Sequence, residues 1–165
     1  MAPLSPPNKS AVRDRILAAL RQEHALQLRA AQLSRDEAIS EESRPENQYD
    51  MHSQEAAYLA EGQARLAAEI AASIELYSAL ALPAPAADAT AALGALVAVE
   101  HKTGIAWYFL GPRAGGLELQ VDGVDVLVLT PQSPFGRELL GKRPGDLVRP
   151  PGRSTGGEHR IAAIA

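Results

Sequence analysis

Two successive stretches of this chain repeat apolar residues about every 3.5 positions, which is the period of a coiled-coil helix. Alternating steps of four and three define one series that starts at Val12 and another that starts at His52. The predicted seam positions are Val12, Ile16, Ala19, Glu23, Leu26, Ala30, Leu33 and Glu37 in the first stretch, and His52, Ala56, Leu59, Gln63, Leu66, Ile70, Ser73, Tyr77 and Leu80 in the second. Two such helices with a short polar break between them predict an antiparallel hairpin.

The break is the acidic segment EESRPENQYD, residues 41 to 50. A residue that precedes proline is disfavoured in the α region, so we expect Arg44 outside the helices and Pro45 in the first turn of the second helix. The acids then lie at the tip of the hairpin. They are explained either as solvent-exposed residues near a helix start, or as carboxylates that hold a divalent cation such as Mg²⁺ together with water or phosphate oxygens.

The pattern changes after Leu80. Residues 82 to 93 are rich in Pro and Ala, which indicates a linker. Short segments typical of an antiparallel sheet follow, at residues 94–102, 106–111, 116–121, 125–130 and 158–164, with one short helix at 134–142 that ends at Gly141. The predicted fold class is α+β. It comprises a disordered leader (1–10), an N-terminal antiparallel α-helical coiled-coil hairpin (11–81), the linker (82–93) and a small antiparallel β domain with one short helix (94–165).

Several function classes have no support in the sequence. The chain has no cysteine, which excludes disulfides and cysteine nucleophiles, and its net charge of −4 argues against a broad basic surface for nucleic acid. Ser133 precedes Pro134 and is interpreted as a helix N-cap, not as a nucleophile. Without a signal peptide or an apolar run long enough for a membrane, the protein is expected in the cytoplasm. Four histidines are scattered without metal-ligand spacing, at His24, His52, His101 and His159.

One strand segment contains both Trp107 and Tyr108. Successive side chains of a strand point to opposite faces. We therefore expect one of these two residues in the core and the other exposed.

Two motifs carry a resemblance to a known family. The segment SPFGRELLGKRPGDLV, residues 133 to 148, is similar at almost every position to the S-P-x-G/A-R-x-L-x-G-K-x-x-G-D-x-V signature of the Gre transcript-cleavage factors of bacterial RNA polymerase, GreA and GreB. PENQYDMHSQEAAYLAEGQARLAAEI, residues 45 to 70, resembles the acidic tip and second helix of that family, and GGEHRIAAI resembles its final strand. The resemblance extends from about residue 12 to the last residue.

The resemblance implies an FKBP-like C-terminal domain and an accessory factor of bacterial RNA polymerase that is not itself an enzyme. In this family the hairpin enters the polymerase secondary channel of a backtracked complex. The tip carboxylates there help the polymerase to hold a second Mg²⁺, which activates a water that cleaves the nascent RNA near its 3′ end. The isolated protein is expected to be a monomer without a bound cofactor, because the Mg²⁺ is shared in the polymerase active site.

The resemblance also identifies candidate site residues. At the tip, Glu46 and Asn47 match the family motif, and Glu42 lies close to them in sequence. The residues implied for docking of the C-terminal domain on the polymerase are Ser133, Pro134, Arg137, Lys142 and Asp146.

The tip departs from the family pattern at two positions. The family usually has an aspartate three residues before the glutamate, where this chain has Ser43, and a lysine where this chain has Pro45. A serine hydroxyl is a neutral and weaker Mg²⁺ ligand than a carboxylate. Three hypotheses follow: a Gre-type factor that binds RNA polymerase and affects elongation with weak or altered cleavage stimulation, a secondary-channel regulator or inhibitor without a cleavage role, and a coiled-coil adaptor for another protein.

Basic residues also mark the first helix, at Arg13, Arg21, Arg29 and Arg35. They are explained either by contact with the extruded RNA 3′ end or as solvated charges on a coiled coil.

Overall fold

The structure is a computed structural model that describes residues 5–42, 50–151 and 157–165, without the side chains of residues 41, 42 and 50. Its elements follow the order α1 (Lys9–Glu42), α2 (Asp50–Ser78), β1 (Leu96–His101), β2 (Gly104–Leu110), β3 (Glu118–Val121), β4 (Val124–Leu129), α3 (Pro134–Leu139), β5 (Leu147–Val148) and β6 (His159–Ile164). The chain divides into two compact units. One is Ala18–Glu75, and the other combines Met1–Leu17 with Leu76–Ala165. The predicted α+β class with an N-terminal helical hairpin is confirmed.

The hairpin unit closes on small residues. Its buried side chains are Ala31, Ser34 and Ala38 on α1, and Ser53, Ala56, Ala60, Ala67 and Ile70 on α2. Two polar contacts cross this seam: the Ser34 hydroxyl donates to Gln63 Oε1 at 2.9 Å, and the Ser53 hydroxyl donates to the Ala38 carbonyl at 3.2 Å. Gln63, the later of the two α2 residues, contacts Ser34, the earlier of the two α1 residues. Ser53, the earlier α2 residue, contacts Ala38, the later α1 residue, as an antiparallel pair requires.

The predicted seam was wrong by one position over much of this unit. Four leucines expected inside it are exposed, with exposed fractions of 50% for Leu26, 66% for Leu33, 56% for Leu59 and 42% for Leu66. Ala60 and Ala67, one residue after the last two, are buried instead. The physical reason is that alanine and serine let two helix backbones approach closely, and a leucine in the same gap would force them apart.

The second unit contains a six-stranded sheet with the order β3-β4-β2-β1-β6-β5. Its β1–β2, β1–β6, β3–β4 and β5–β6 pairs are antiparallel, whereas β2 and β4 run parallel with Trp107 opposite Val126. The expectation of an antiparallel sheet is therefore corrected to a mixed one. The two-residue strand β5 was not predicted, because Leu147–Val148 is too short to show an alternating pattern.

Both faces of the central strands are covered. One face packs Val97, Val99 and Tyr108 against Phe135 and Leu139 of α3. Trp107 is 1% exposed and Tyr108 is 9% exposed, so the expectation that one of this pair is solvent-exposed was wrong. The second face of β2 is buried as well, since Phe109 is fully buried like Trp107. The same unit contains the start of α1 and the end of α2, where Ile16 and Tyr77 are also fully buried.

The segment interpreted as a leader and the segment interpreted as a linker both contain ordered contacts. Helix α1 begins at Lys9, within the predicted leader, and Asn8 accepts from the Ala11 amide through its side-chain oxygen at 3.2 Å, as an N-cap does. In the linker, Ala91 is buried and its amide donates to the Lys142 carbonyl at 2.8 Å. The Gly141 amide in turn donates to the Ala91 carbonyl at 2.7 Å.

Candidate functional site

The hairpin tip contains the residues implied for Mg²⁺ binding. Ser43, Pro45, Glu46 and Asn47 lie outside the described residues, and Glu42 is the last residue of α1. Within the described part of the chain, no group of three or more His, Asp or Glu side chains is placed to hold a metal ion. The roles of Glu46, Asn47 and Glu42 therefore stay predictions.

The sides of the hairpin expose two rows of leucine. Leu26 and Leu33 are seven residues apart on α1, and Leu59 and Leu66 are seven residues apart on α2, so each pair occupies one side of its helix. Because the seam is filled by alanine and serine, these four large side chains contribute to surface and not to the core. We call them the leucine rows. Leucines aligned along one side of a helix provide apolar surface that another protein could cover.

The arginines of α1 differ in their surroundings. Arg21, Arg29 and Arg35 are exposed. Arg13 is half-buried, and its Nε lies 3.9 Å from Asp14 Oδ1 without a hydrogen bond among the described residues. Of the four, the three exposed arginines of the hairpin unit are the ones that a phosphate backbone could reach.

Two of the five residues implied for docking have structural roles. Ser133 caps α3: its Oγ accepts from the Gly136 amide at 3.0 Å and donates to the Thr130 carbonyl at 2.9 Å, which confirms the predicted N-cap. Asp146 holds the turn before β5, because its carboxylate accepts from the Arg143 amide at 2.8 Å. A serine hydroxyl and a carboxylate engaged in this way are less available to a partner.

The other three implied residues, Pro134, Arg137 and Lys142, remain at least partly accessible. Arg137 follows the N-terminal proline of α3, and Lys142 and the exposed Arg143 follow the turn at Gly141, whose φ of 77° suits glycine. Within the described residues, no ion pair is formed by Arg137, Lys142 or Arg143. The segment 137–143 therefore presents basic side chains that an acidic surface could pair.

The backbone of the same segment is tightly constrained. Gly136 lies so close to Thr130 that a Cβ atom added to it would be 2.0 Å from the Thr130 carbonyl oxygen. This contact explains why this chain has glycine at this position of the motif. The signature thus combines residues that shape the turn with residues that face solvent.

Two histidines form a cluster that the sequence spacing did not indicate. His101 ends β1 and His159 begins β6, and their ring centroids are 4.7 Å apart. The Nε2 of His101 lies 3.3 Å from the Tyr108 hydroxyl, and the Nδ1 of His159 lies 2.7 Å from the Glu100 carbonyl oxygen. Burial lowers the pKa of His101, and the neighbouring His159 lowers that pKa further. Burial also raises the pKa of the Tyr108 hydroxyl.

Comparison with solved structures found matches over most of the chain. Gfh1 of Thermus thermophilus, described as GreA factor homolog 1, is 19% identical with a TM-score of 0.37, and covers 90% of this chain and 94% of its own. Gfh1 of Thermus aquaticus is 20% identical with a TM-score of 0.37, and covers 92% of both chains. A further structure of the transcription factor Gfh1 is 20% identical with a TM-score of 0.40 and the same coverage.

No protein-family model and no curated protein sequence matches the chain. The described part of the chain also contains no helix that is long and apolar enough to cross a membrane. The chain combines an α-helical hairpin that has an alanine-rich seam with a mixed six-stranded sheet.

Proposed function

We propose that this protein is a Gre-type accessory factor that binds bacterial RNA polymerase and inserts its hairpin into the secondary channel of the enzyme. The observation that carries the proposal is the segment 133–148, whose residues match the family signature and which is built here as a capped helix, a glycine turn and exposed cations. The exposed leucine rows give the hairpin an apolar surface suited to a protein-lined channel. The factor acts on the active site of another enzyme and has no reaction of its own.

The docking step is tested by measuring affinity for core RNA polymerase in solution. We expect Arg137→Glu with Lys142→Glu to weaken binding by tenfold or more, since a reversed charge opposes an acidic partner surface. Lys102→Glu, which makes a similar change at an exposed lysine in the β1–β2 turn, is the matched control and is expected to have little effect. Failure of the unmodified protein to bind core polymerase would reject the proposal as a whole.

The channel step is tested on the leucine rows. Leu59→Ser combined with Leu66→Ser removes apolar surface from one side of α2 without changing the buried seam. We expect weaker polymerase binding with an unchanged unfolding midpoint. Leu93→Ser, which alters a leucine of 39% exposure in the other unit, serves as the control. Equal binding by all three proteins would show that the leucine rows do not contact the polymerase.

The tip step distinguishes a cleavage factor from an inhibitor. In the first case Glu46, with Glu42 and Asn47, supports a Mg²⁺ that the polymerase already holds, and this cation activates the attacking water. Transcript cleavage in stalled, backtracked complexes should then depend on Glu46, and Glu46→Ala should abolish the stimulation. Cleavage that continues unchanged with Glu46→Ala would exclude this role for the tip.

A second candidate function is a secondary-channel regulator or inhibitor without cleavage stimulation. It is favoured by Ser43, which stands where the family has a carboxylate, and by the replacement of a lysine with Pro45. This candidate predicts that the unmodified protein binds polymerase but does not stimulate cleavage, and that Ser43→Asp restores stimulation. Strong stimulation by the unmodified protein would contradict it.

Contact with the nascent RNA is the remaining step. Arg29 and Arg35 are exposed on α1 and could attract the phosphates of an extruded 3′ end. Charge reversal at both should reduce RNA crosslinking to the factor in backtracked complexes, whereas reversal at Arg15, outside the hairpin unit, should not. Unchanged crosslinking would leave these arginines as solvated charges of the coiled coil.

A further inference from the structure

We propose that His101 and His159 together form a binding site for one divalent transition-metal ion, of the class that includes Zn²⁺, Ni²⁺ and Cu²⁺. This site lies at the β1–β6 end of the sheet. It is independent of the hairpin tip and of the Mg²⁺ that the polymerase would supply.

The strand pairing places both imidazoles on one face. Val99 of β1 lies opposite Ile161 of β6 in an antiparallel pair. His101 is two residues after Val99 and His159 is two residues before Ile161, so both side chains project to the same face as that pair. The two rings therefore meet across neighbouring strands, although 58 positions separate them in the sequence (159 − 101).

Each imidazole uses one nitrogen for a hydrogen bond and leaves the other available. His159 donates from Nδ1 to the Glu100 carbonyl, so its Nε2 carries the lone pair. His101 uses Nε2 in its contact with the Tyr108 hydroxyl, and in the tautomer in which Nε2 donates, Nδ1 carries the lone pair. Neither remaining nitrogen forms a hydrogen bond or an ion pair among the described residues. Histidine ligands of metal sites are oriented in this manner, by a hydrogen-bond partner on the nitrogen that does not bind the metal.

The spacing of the rings also fits a shared ion. With a metal–nitrogen distance of about 2.0 to 2.1 Å, two imidazoles bound to one metal at an angle of about 90 to 110° have centroids about 4.5 to 5.2 Å apart. The observed separation of 4.7 Å lies within this range. The ring planes are inclined by 42°.

The ligand type selects the ion. Two neutral imidazoles suit Zn²⁺, Cu²⁺ and Ni²⁺, whereas Mg²⁺ and Ca²⁺ prefer oxygen ligands. The acid beside His159, Glu158, is engaged by Arg149 at 3.1 Å, so the imidazoles are the principal ligands that this face offers.

The test is isothermal titration calorimetry of the whole chain with Zn²⁺ alone, on protein that carries no polyhistidine tag. We expect one Zn²⁺ per chain. His101→Gln and His159→Gln should each weaken Zn²⁺ binding by roughly tenfold or more. Loss of a metal ligand should cost at least as much affinity as loss of a group that only hydrogen-bonds to a ligand. A double variant, His24→Gln with His52→Gln, changes the other two histidines and should bind as the unmodified protein does.

A separate readout distinguishes ligand loss from damage to the fold. Saturating Zn²⁺ should raise the thermal midpoint of the unmodified protein, since an ion that binds only the folded state stabilises it by mass action. The shift should be absent in His159→Gln, whose midpoint without metal should stay near that of the unmodified protein. Binding that persists in both single variants at equal affinity, or no Zn²⁺ binding at all, would overturn the proposal.

Discussion

The register of the hairpin seam can be tested at two adjacent residues of α2. Ala60 is 6% exposed and lies in the seam, whereas Leu59 is 56% exposed and lies beside it. Ala60→Leu adds three carbon atoms to a closely packed gap and should lower the free energy of unfolding by about 1 to 3 kcal/mol. Leu59→Ala removes three carbon atoms from a largely solvated position and should change it by no more than about 0.5 kcal/mol.

The 3.5-residue apolar period alone predicts that Leu59→Ala destabilises the hairpin more than Ala60→Leu does. If Leu59 were in the seam, Leu59→Ala would cost about 2 to 5 kcal/mol, and Ala60→Leu would be nearly neutral on the surface. Urea unfolding followed by far-ultraviolet circular dichroism is a suitable assay, because α1 and α2 contain 34 and 29 residues and dominate the helical signal. A larger loss for Leu59→Ala than for Ala60→Leu would refute the alanine seam.

The neighbouring pair repeats the experiment one heptad later. Leu66 is 42% exposed and Ala67 is 1% exposed. Ala67→Leu should therefore destabilise the hairpin as Ala60→Leu does, and Leu66→Ala should resemble Leu59→Ala. Agreement between the two pairs would exclude a local effect at one position.

Three further changes test other parts of the structure. Ser133→Ala removes the cap of α3 and should cost about 0.5 to 2 kcal/mol in urea unfolding, whereas Arg137→Ala should leave stability unchanged. Tyr77→Phe removes the donor that lies 2.6 Å from the Arg113 carbonyl and should cost about 1 to 2 kcal/mol; Tyr58→Phe, at a side chain that is 75% exposed, should cost nothing measurable. Burial and His159 lower the pKa of His101, so the unfolded chain protonates this imidazole more readily than the folded chain does. The contribution of His101 to the free energy of unfolding is therefore fully present above about pH 6.5 and is lost as the pH falls below that value. His101→Gln should reduce this decline, measured as the urea midpoint at several pH values; an equal decline in the variant would assign it to other groups.

The elements that depend on local pattern could be predicted from the sequence. A 3.5-residue period, a proline break and a capping serine before Pro134 are all properties of short segments, and the helices and the N-cap at Ser133 appear in the structure. The seam register was not predictable in the same way. Leu59 and Ala60 both fit a helical stripe, and the choice between them depends on how closely the two backbones approach, which is a property of the pair and not of either helix.

The pairing of the strands, like the register of the seam, could not be predicted from the pattern of any single segment. Alternation identified β2 and β4, but the parallel pairing of Tyr108 with Leu127 depends on β3 returning along the outer edge of the sheet. Non-local pairing also determined which side chains meet. His101 and His159 were classed as scattered because metal-ligand spacing is judged within a short segment, yet β1 and β6 bring them into contact.

The signature segment illustrates why a motif cannot be assigned to an interface as a whole. Ser133 and Asp146 are engaged with the backbone, so removing either one should alter the shape of the segment first and partner binding only as a consequence. The side chains of Arg137 and Lys142 form no hydrogen bond or ion pair among the described residues, so replacing these side chains should affect binding without affecting stability. If Ser133→Ala and Arg137→Ala both weaken polymerase binding, only Ser133→Ala should also lower the unfolding midpoint. A matching loss of stability in Arg137→Ala would mean that the arginine supports the fold and that the contact surface lies elsewhere on the unit.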